Sequence, residues 1–339
     1  MNHRNIAGIM MLAVGLVLAG CKFSSSKSAS DDQNSTTDTI ASTVKFDSDT
    51  AYAYIKDQLA FGPRVSGSEG NRLCRDYIVN TLNRHGASNV TVQEGTVTTF
   101  TDKVLPIGNV MGSYNPDVKD RILLVAHYDT RPWADNDDFE ENRLKPIPGA
   151  NDGASGVAAL LEIARQLNTH KPKIGVDLLF VDAEDYGQAS GFSTHDSSWC
   201  LGTQYWVEHM PYKPDSLPRY GILLDMVGGF DAKFHREYFS DQGASKPILD
   251  KVWSIAARSG YGDRFINKPG GSVVDDHLFL CDAGIPTIDI IESKNDGTGT
   301  FTPTWHTMND NIKNIDRASL KAAGQTVLNV IFNEIQCVK

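Results

Sequence analysis

Carboxylates and imidazoles stand at the ends of several apolar segments of this sequence. They occur in five places: His127-Tyr128-Asp129-Thr130, Ala150-Asn151-Asp152-Gly153, Asp182-Ala183-Glu184-Asp185, Leu223-Leu224-Asp225 and Trp305-His306-Thr307. Carboxylate oxygens and imidazole nitrogens are the ligands that suit zinc in proteins. The residue types therefore predict a zinc site, provided that the fold brings these five places together.

The elements around these places alternate between strands and helices. The predicted strands cover residues 90–100, 109–112, 121–127, 175–181, 220–226 and 285–291, and the main predicted helices cover 151–167, 246–259 and 317–335. Short, almost wholly apolar strands are typical of strands buried on both faces. The alternation predicts one α/β domain with a single doubly wound, mostly parallel twisted sheet, flanked by helices, which binds ligands outside the carboxyl ends of its strands.

Each polar residue also has an ordinary structural interpretation. Asp152 stands at the predicted N-cap of the helix at 151–167, and Glu184-Asp185 is typical of a solvated loop. His127 and His306, taken singly, are typical of core or surface histidines. The functional interpretation is favoured because all of these groups fall at one edge of the same predicted sheet.

Composition and the first residues bear on partners and location. The chain has 339 residues and a formal net charge of −10, without a Lys/Arg-rich stretch in its body, which argues against a nucleic-acid partner.

Residues 1–20 resemble a bacterial lipoprotein signal peptide that ends before Cys21. We therefore expect an exported protein in the periplasm or outer membrane, attached by lipid on Cys21, with a flexible tether at 21–43 and a catalytic domain at 44–339. An ordinary signal peptide with an incidental cysteine is the alternative.

The remaining cysteines are Cys74, Cys200, Cys281 and Cys337, and none forms a C-x-x-C pair. An exported protein can form disulfides, but the pairing does not follow from the sequence, and four free thiols are an open alternative.

Several motifs together resemble the zinc-aminopeptidase-like superfamily, including its glutaminyl cyclase branch. The segments at 127–130 and 149–156, His-Tyr-Asp-Thr and Gly-Ala-Asn-Asp-Gly-Ala-Ser-Gly, are similar to those of the whole superfamily. The segments at 305–311 and 274–277, Trp-His-Thr-Met-Asn-Asp-Asn and Val-Asp-Asp-His, and Phe301 resemble the cyclase branch. The resemblance implies a zinc-exopeptidase-like three-layer sandwich. It also implies a glutaminyl-peptide cyclotransferase, which closes the N-terminal glutamine of peptides into pyroglutamate and releases ammonia.

The resemblance implies a role for each matched residue. One zinc ion per chain would be held by Asp152, Asp185 and His306. Glu184 would be the general acid/base, with Asp225 and Asp275 as the acids of a proton network beside it. Trp305 and Phe301 would wall the pocket for the glutamine side chain. The family often has Glu where this chain has Asp185, so the shorter side chain must reach the metal by a small backbone shift.

Two other functions stay open at this stage. A two-zinc aminopeptidase would use His127 and Asp225 for a second metal, Asp152 as the bridge and Glu184 to activate water, and the sequence retains all of these residues. A ligand-binding lipoprotein without activity is the other alternative. His195 and Trp199 are interpreted as surface residues of a loop at the mouth of the site, with contact to substrate as the alternative. The peptide substrates and the oligomeric state stay open.

Overall fold

A computed structural model describes residues 44–189 and 197–334 of the chain. Its α-helices are α1 (Ser48–Leu59), α2 (Glu69–Arg84), α3 (Ala154–Thr169), α4 (Leu201–Glu208), α5 (Lys246–Ala256), α6 (Asp276–Asp282) and α7 (Arg317–Asn333). Its strands are β1 (Ser88–Thr98), β2 (Val104–Tyr114), β3 (Arg121–His127), β4 (Gly175–Val181), β5 (Gly221–Leu224), β6 (Phe234–Arg236), β7 (Phe265–Pro269) and β8 (Thr287–Ile290). None of the helices in these ranges combines the length and the apolar character that crossing a bilayer would require.

The main sheet has the strand order β1-β2-β4-β3-β5-β8. The neighbours among β4, β3, β5 and β8 run parallel, whereas β1 and β2 are antiparallel to each other and β2 is antiparallel to β4. Every residue of β3 and β4 is buried, as expected for parallel strands covered on both faces. In the edge strand β1, by contrast, exposed residues recur along its length. Strands β6 and β7 form a separate parallel pair.

Helices cover both faces of the parallel part of the sheet. Successive residues of β3 point to opposite faces, so that Leu124 packs in the large core with α1, α3 and α7. Leu123 belongs to a second core with Trp206 of α4 and Leu280 of α6. Complete burial of a leucine side chain contributes roughly 2 kcal/mol, so these two layers fix the positions of the strand ends.

The structure confirms a mixed α/β fold with a central, mostly parallel sheet and flanking helices, while the doubly wound connectivity stays a prediction. The strands predicted at 121–127 and 175–181 have the observed bounds. Helix α3 begins at Ala154, so the predicted start at residue 151 is wrong. Helix α4 and the pair β6–β7 are additional to the predicted elements.

Some sequence predictions lie outside the described residues. These are the signal peptide at 1–20, the tether at 21–43 with its lipid on Cys21, and the interpretations of His195 and Cys337. In the described ranges, Cys74, Cys200 and Cys281 are free thiols.

Candidate active site

The parallel strands deliver their last residues to one edge of the sheet. His127 ends β3, Glu184 and Asp185 follow β4, and Asp225 follows β5 directly. Because β4, β3 and β5 are neighbours in the sheet, these side chains come together at its carboxyl edge. Loops before α3 and before α7 add Asp152 and His306 to the same place. The structure thus brings the five separate places of the sequence together.

Asp152, Asp185 and His306, called the ligand cluster below, could hold a metal ion. One ligand atom from each lies within 4.8 Å of the other two. His306 Nε2 lies 3.2 Å from Asp185 Oδ1 and 3.7 Å from Asp152 Oδ2. All three are buried, and Asp185 Oδ2 has no hydrogen-bond partner among the described residues. Two carboxylates, one imidazole and a free buried oxygen fit a catalytic zinc site, which keeps its fourth position open.

Asp152 does not cap α3, so the ordinary structural interpretation of this residue is wrong. The N-cap is Gly153, which makes no side-chain capping bond. The Asp152 carboxylate is instead directed at two imidazoles, with Oδ1 at 3.1 Å from His127 Nε2. A Cβ atom on Gly153 would lie 2.5 Å from the His127 carbonyl oxygen, so only glycine permits this close approach.

Two further carboxylates hold the backbone of the ligand cluster, and neither is among the predicted site residues. Asp310 accepts hydrogen bonds from the N–H groups of Asn151 at 2.7 Å and Asp152 at 3.1 Å. Asp129 accepts hydrogen bonds from the N–H groups of Glu184 at 3.1 Å and Asp185 at 3.2 Å. Both stand inside the quoted motifs, two residues after His127 and four after His306. Their residue type, however, does not distinguish a backbone support from a metal ligand.

A second group, His127, Asp152 and Asp225, shares Asp152 with the ligand cluster. Its ligand atoms also lie within 4.8 Å of one another. His127 Nε2 is 3.0 Å from Asp225 Oδ1. Burial alone would lower the pKa of His127, but the negative charge of Asp225 and the bonds to the neighbouring carboxylates raise it well above 6.5. The residues of a two-metal arrangement are therefore also assembled here.

Glu184 lies beside the ligand cluster and next to further acids. One oxygen of Glu184 and one of Asp275 lie within 4.8 Å of each other and of the Cys200 thiol. Burial raises the pKa of Glu184 well above its ordinary value, and the adjacent carboxylates raise it further. Burial is also the largest cause that raises the pKa of Asp225 to about 6 and that of Asp275 to about 7. This group can therefore hold and exchange protons near neutral pH.

A cavity of about 280 Å³ opens onto these carboxylates and is walled by aromatic rings. Phe301 and Trp305 lie 4.4 Å apart between ring centroids, and Trp305 stacks on His306 at 3.8 Å. Trp199, a half-buried loop residue, also lines the cavity, nearly parallel to the His306 ring at 6.3 Å, which favours the alternative that it touches substrate. Trp305 and Phe301 thus line the cavity, and their role as the walls of a glutamine pocket stays a prediction.

The chain is similar to known proteins over most of its length. The model of Peptidase family M28 matches residues 109–331. A structure of glutaminyl cyclase from Bacteroides thetaiotaomicron, bound to N-acetylhistamine, is 48% identical to this chain and superposes on it with a TM-score of 0.81. The match covers 86% of this chain and 99% of the chain in that structure. A leucine aminopeptidase precursor from Bacteroides thetaiotaomicron VPI-5482 is also 48% identical, with 86% and 98% covered and a TM-score of 0.80. Glutaminyl-peptide cyclotransferase from Bos taurus is 26% identical in an alignment of 280 residues, and the match covers 76% of this chain and 74% of the bovine protein.

Proposed function

Because the chain belongs to peptidase family M28, we propose that its site is that of a zinc-dependent glutaminyl-peptide cyclotransferase. Such an enzyme converts the N-terminal glutamine of a peptide to pyroglutamate and releases ammonia. The observation that carries the proposal is the ligand cluster, with Glu184 beside it, in a small cavity walled by Trp305 and Phe301. The similarity to a glutaminyl cyclase over 99% of that protein's chain supports it.

We propose one zinc ion per chain, held by Asp152, Asp185 and His306. When bound, the zinc would supply a Lewis acid that polarises the γ-carboxamide carbonyl of the substrate and stabilises negative charge on its oxygen. Support for a single ion comes from Trp305 and Phe301, because this aromatic wall narrows the site to one small side chain, as a cyclase requires.

The cavity can hold the reacting groups of one glutamine against each other. The attacking α-amine and the attacked carboxamide belong to the same residue, so the protein must fold that residue into a ring-like conformation. Trp305 and Phe301 limit the width of the cavity, and both rings pack on the buried side chains of Met226, Val273 and Ile291. A rigid wall of this kind favours the cyclic conformation, and positioning alone can lower a barrier by roughly 7 kcal/mol or more.

Glu184 supplies the proton transfers of the reaction. Its carboxylate accepts a proton from the α-amine as the new N–C bond forms, and it returns that proton to the amide nitrogen, which leaves as ammonia when its C–N bond breaks. The raised pKa of Glu184 makes it a stronger base than an exposed carboxylate. General acid–base catalysis of this type typically contributes about 10²- to 10⁴-fold. Asp275, with an oxygen within 4.8 Å of one of Glu184, and Asp225, whose charge acts on Asp275, are placed to share that proton.

Mass spectrometry of a peptide that begins with glutamine tests the proposal. We expect the loss of one ammonia per peptide, and we expect a chelator to abolish it and added zinc to restore it. A matched peptide that begins with asparagine should stay unchanged, since its side chain is one carbon shorter. An unaltered glutamine peptide after incubation with zinc-loaded protein would contradict the proposed reaction.

Replacement of Glu184 tests the proposed base separately. Glu184→Gln should lower kcat by about 10²- to 10⁴-fold while the protein keeps its zinc, because the amide cannot accept the proton. Glu140→Gln, an exposed exchange of the same type, is the matched control and should leave kcat unchanged. If Glu184→Gln cyclises the peptide as fast as the native protein, another group is the base.

A two-zinc aminopeptidase is the second candidate. The assembled group of His127, Asp152 and Asp225 and the similarity to a leucine aminopeptidase precursor favour it. Metal analysis of the purified protein, together with an assay for free amino acids, distinguishes the two functions. Two zinc ions per chain and release of N-terminal residues from peptides would favour the aminopeptidase.

We further propose that the chain is exported and anchored by lipid on Cys21, with residues 21–43 as the tether. The proposal rests on the apolar run before Cys21 and the polar segment after it. Metabolic labelling with a fatty acid in a bacterial host tests it. Label should follow the full-length chain and disappear in Cys21→Ser, and labelling that persists in this variant would contradict the proposal.

A further inference from the structure

A buried arginine lies beneath the ligand cluster. The guanidinium of Arg131, with a residue exposure of 1%, donates two hydrogen bonds to the carboxylate of Asp135, at 2.8 and 2.7 Å. Its third nitrogen, Nη1, donates to the carbonyl oxygens of Asp185 at 3.1 Å and Gly187 at 3.2 Å. Nη1 also lies 3.5 Å from the Asp185 carboxylate. One rigid guanidinium therefore connects Asp135 to the segment that carries a proposed metal ligand.

Asp135 in turn contacts the other side of a second proposed ligand. Its Oδ1 lies 3.4 Å from His306 Nδ1, whereas Nε2 of the same ring faces Asp152 and Asp185. The adjacent backbone strengthens this link, because the N–H of Asn136 donates to the His306 carbonyl oxygen at 3.1 Å. His306 has a φ of +55°, a strained value for a non-glycine residue, so its backbone needs such support.

We propose that Arg131 and Asp135 form a positioning pair for the metal ligands Asp185 and His306. Asp135 accepts a hydrogen bond from the Nδ1–H of His306, which fixes the tautomer and the direction of the ring, so that the lone pair on Nε2 points into the ligand cluster. Arg131 holds Asp135 in place and fixes the backbone of Asp185. A histidine ligand commonly donates its second ring N–H to a carboxylate, and the loss of such a partner lowers metal affinity by roughly 10- to 100-fold.

This inference rests on the proposed zinc site but not on the proposed reaction. The test measures zinc binding directly, by competition with a coloured chelator, together with the rate at which zinc is released. Asp135→Asn keeps the size of the side chain and removes its charge. We expect zinc affinity to fall roughly 10- to 100-fold and zinc release to become faster. Asp138→Asn makes the same change at an exposed position of the same loop and should bind zinc as the native protein does.

Arg131→Lys provides a second variant in case Asp135→Asn does not fold. Lysine keeps the positive charge but cannot bind both oxygens of Asp135 in the fork geometry, so zinc affinity should fall between the native and the Asp135→Asn values. The melting temperature of the metal-free proteins separates a loss of ligand geometry from a loss of folding. Native zinc affinity and release rate in both variants would overturn the proposal. If the native protein binds zinc but does not cyclise glutamine, the proposed reaction is contradicted. The comparison of zinc affinities between the native protein and the variants then still tests the positioning pair.

Discussion

Two buried groups of acids lie next to each other in this protein, and they differ in the cations that accompany them. The ligand cluster has Arg131 and His127 as close neighbours. Burial alone would raise the pKa of Asp152, but the hydrogen bond and charge of His127, with the charges of His306 and Arg131, lower it. The pKa of Asp185, by contrast, is raised by burial and by the adjacent Asp152. One further positive charge would relieve that repulsion, as a metal ion does.

The second group, called the inner acid cluster, consists of Asp275, Asp276 and Asp289. Burial, followed by the charge of Asp225, raises the pKa of Asp275 to about 7. Burial, followed by the charge of Asp275, raises the pKa of Asp276 to about 7 and that of Asp289 well above its ordinary value. In the part of the chain that the structure describes, His277 provides an imidazole beside this cluster, with its Nδ1 3.9 Å from Asp289 Oδ2. The cations beside Asp152 keep its pKa low, so that carboxylate stays ionised and can bind a metal, whereas Asp275 and Asp276 hold protons up to neutral pH. Glu184 stands between the two groups and can exchange protons with the second.

The largest effect is expected from a change in the ligand cluster itself. His306→Ala removes the imidazole ligand and should leave the protein without bound zinc, with cyclisation reduced to the level of chelator-treated native protein. Metal analysis after gel filtration and the peptide assay measure the two effects. His209→Ala removes an exposed histidine outside both clusters and serves as the control. Zinc retained at the native ratio in His306→Ala would show that the ligand cluster is wrongly assigned.

A change in the inner acid cluster should separate proton transfer from metal binding. Asp275→Asn should keep its zinc and a native KM but lose roughly 10-fold or more in kcat, less than direct removal of the base, because Asp275 acts through Glu184. With a pKa of about 7 for Asp275, kcat of the native protein should vary across neutral pH, and this variation should flatten in the variant.

Asp263→Asn, an exposed exchange of the same type, is the control for Asp275→Asn and should keep the native profile. Loss of zinc from Asp275→Asn would contradict the separation of the two clusters. An unchanged kcat and pH profile would remove Asp275 from the proton network.

The sequence predicted the elements that carry the ligands because burial leaves a clear pattern. The apolar runs at 121–127 and 175–181 have the observed bounds, since strands covered on both faces contain few polar residues. The predicted start of α3 at residue 151 was wrong for a physical reason. An aspartate before a helix has the residue type of a cap, whereas the carboxylate of Asp152 faces two histidines and the helix begins two residues later.

The supports of the site could not be predicted in the same way. The contact of Asp135 with His306 and the bonds from Asp310 to the backbone of Asp152 join segments far apart in the chain. Neither hydrophobic periodicity nor a local motif indicates which distant residues such a carboxylate will contact. Trp199 illustrates the same limit, because its loop has no regular pattern and its ring reaches the cavity only through the tertiary fold.

A change at Glu237, which lies beside His277 next to the inner acid cluster, should have the smallest effect on activity but a measurable effect on stability. Glu237 Oε2 lies 3.3 Å from His277 Nε2, and both side chains are buried. Glu237 also accepts hydrogen bonds from the N–H groups of Phe239, Ser240 and Val273. Glu237→Gln removes the nearer of the two carboxylates beside the buried His277 imidazole, so the free energy of unfolding should fall by about 3 kcal/mol.

The pH dependence of that loss identifies the ion pair as its cause. Burial would lower the pKa of His277, but Glu237 raises it above 6.5, so the stability from His277 is fully present below pH 6.5 and is lost as the pH rises through the folded pKa. Burial would raise the pKa of Glu237, but His277 lowers it below 4.5, so the stability from Glu237 is present above pH 4.5.

Urea unfolding of the metal-free proteins measures this pH dependence. The difference in unfolding free energy between native protein and Glu237→Gln should be largest from pH 4.5 to 6.5, and it should narrow in alkaline solution. Glu208→Gln, an exposed control, should show no such difference. A loss that stays constant from acid to alkaline pH would assign it to the backbone hydrogen bonds of Glu237 instead of the ion pair.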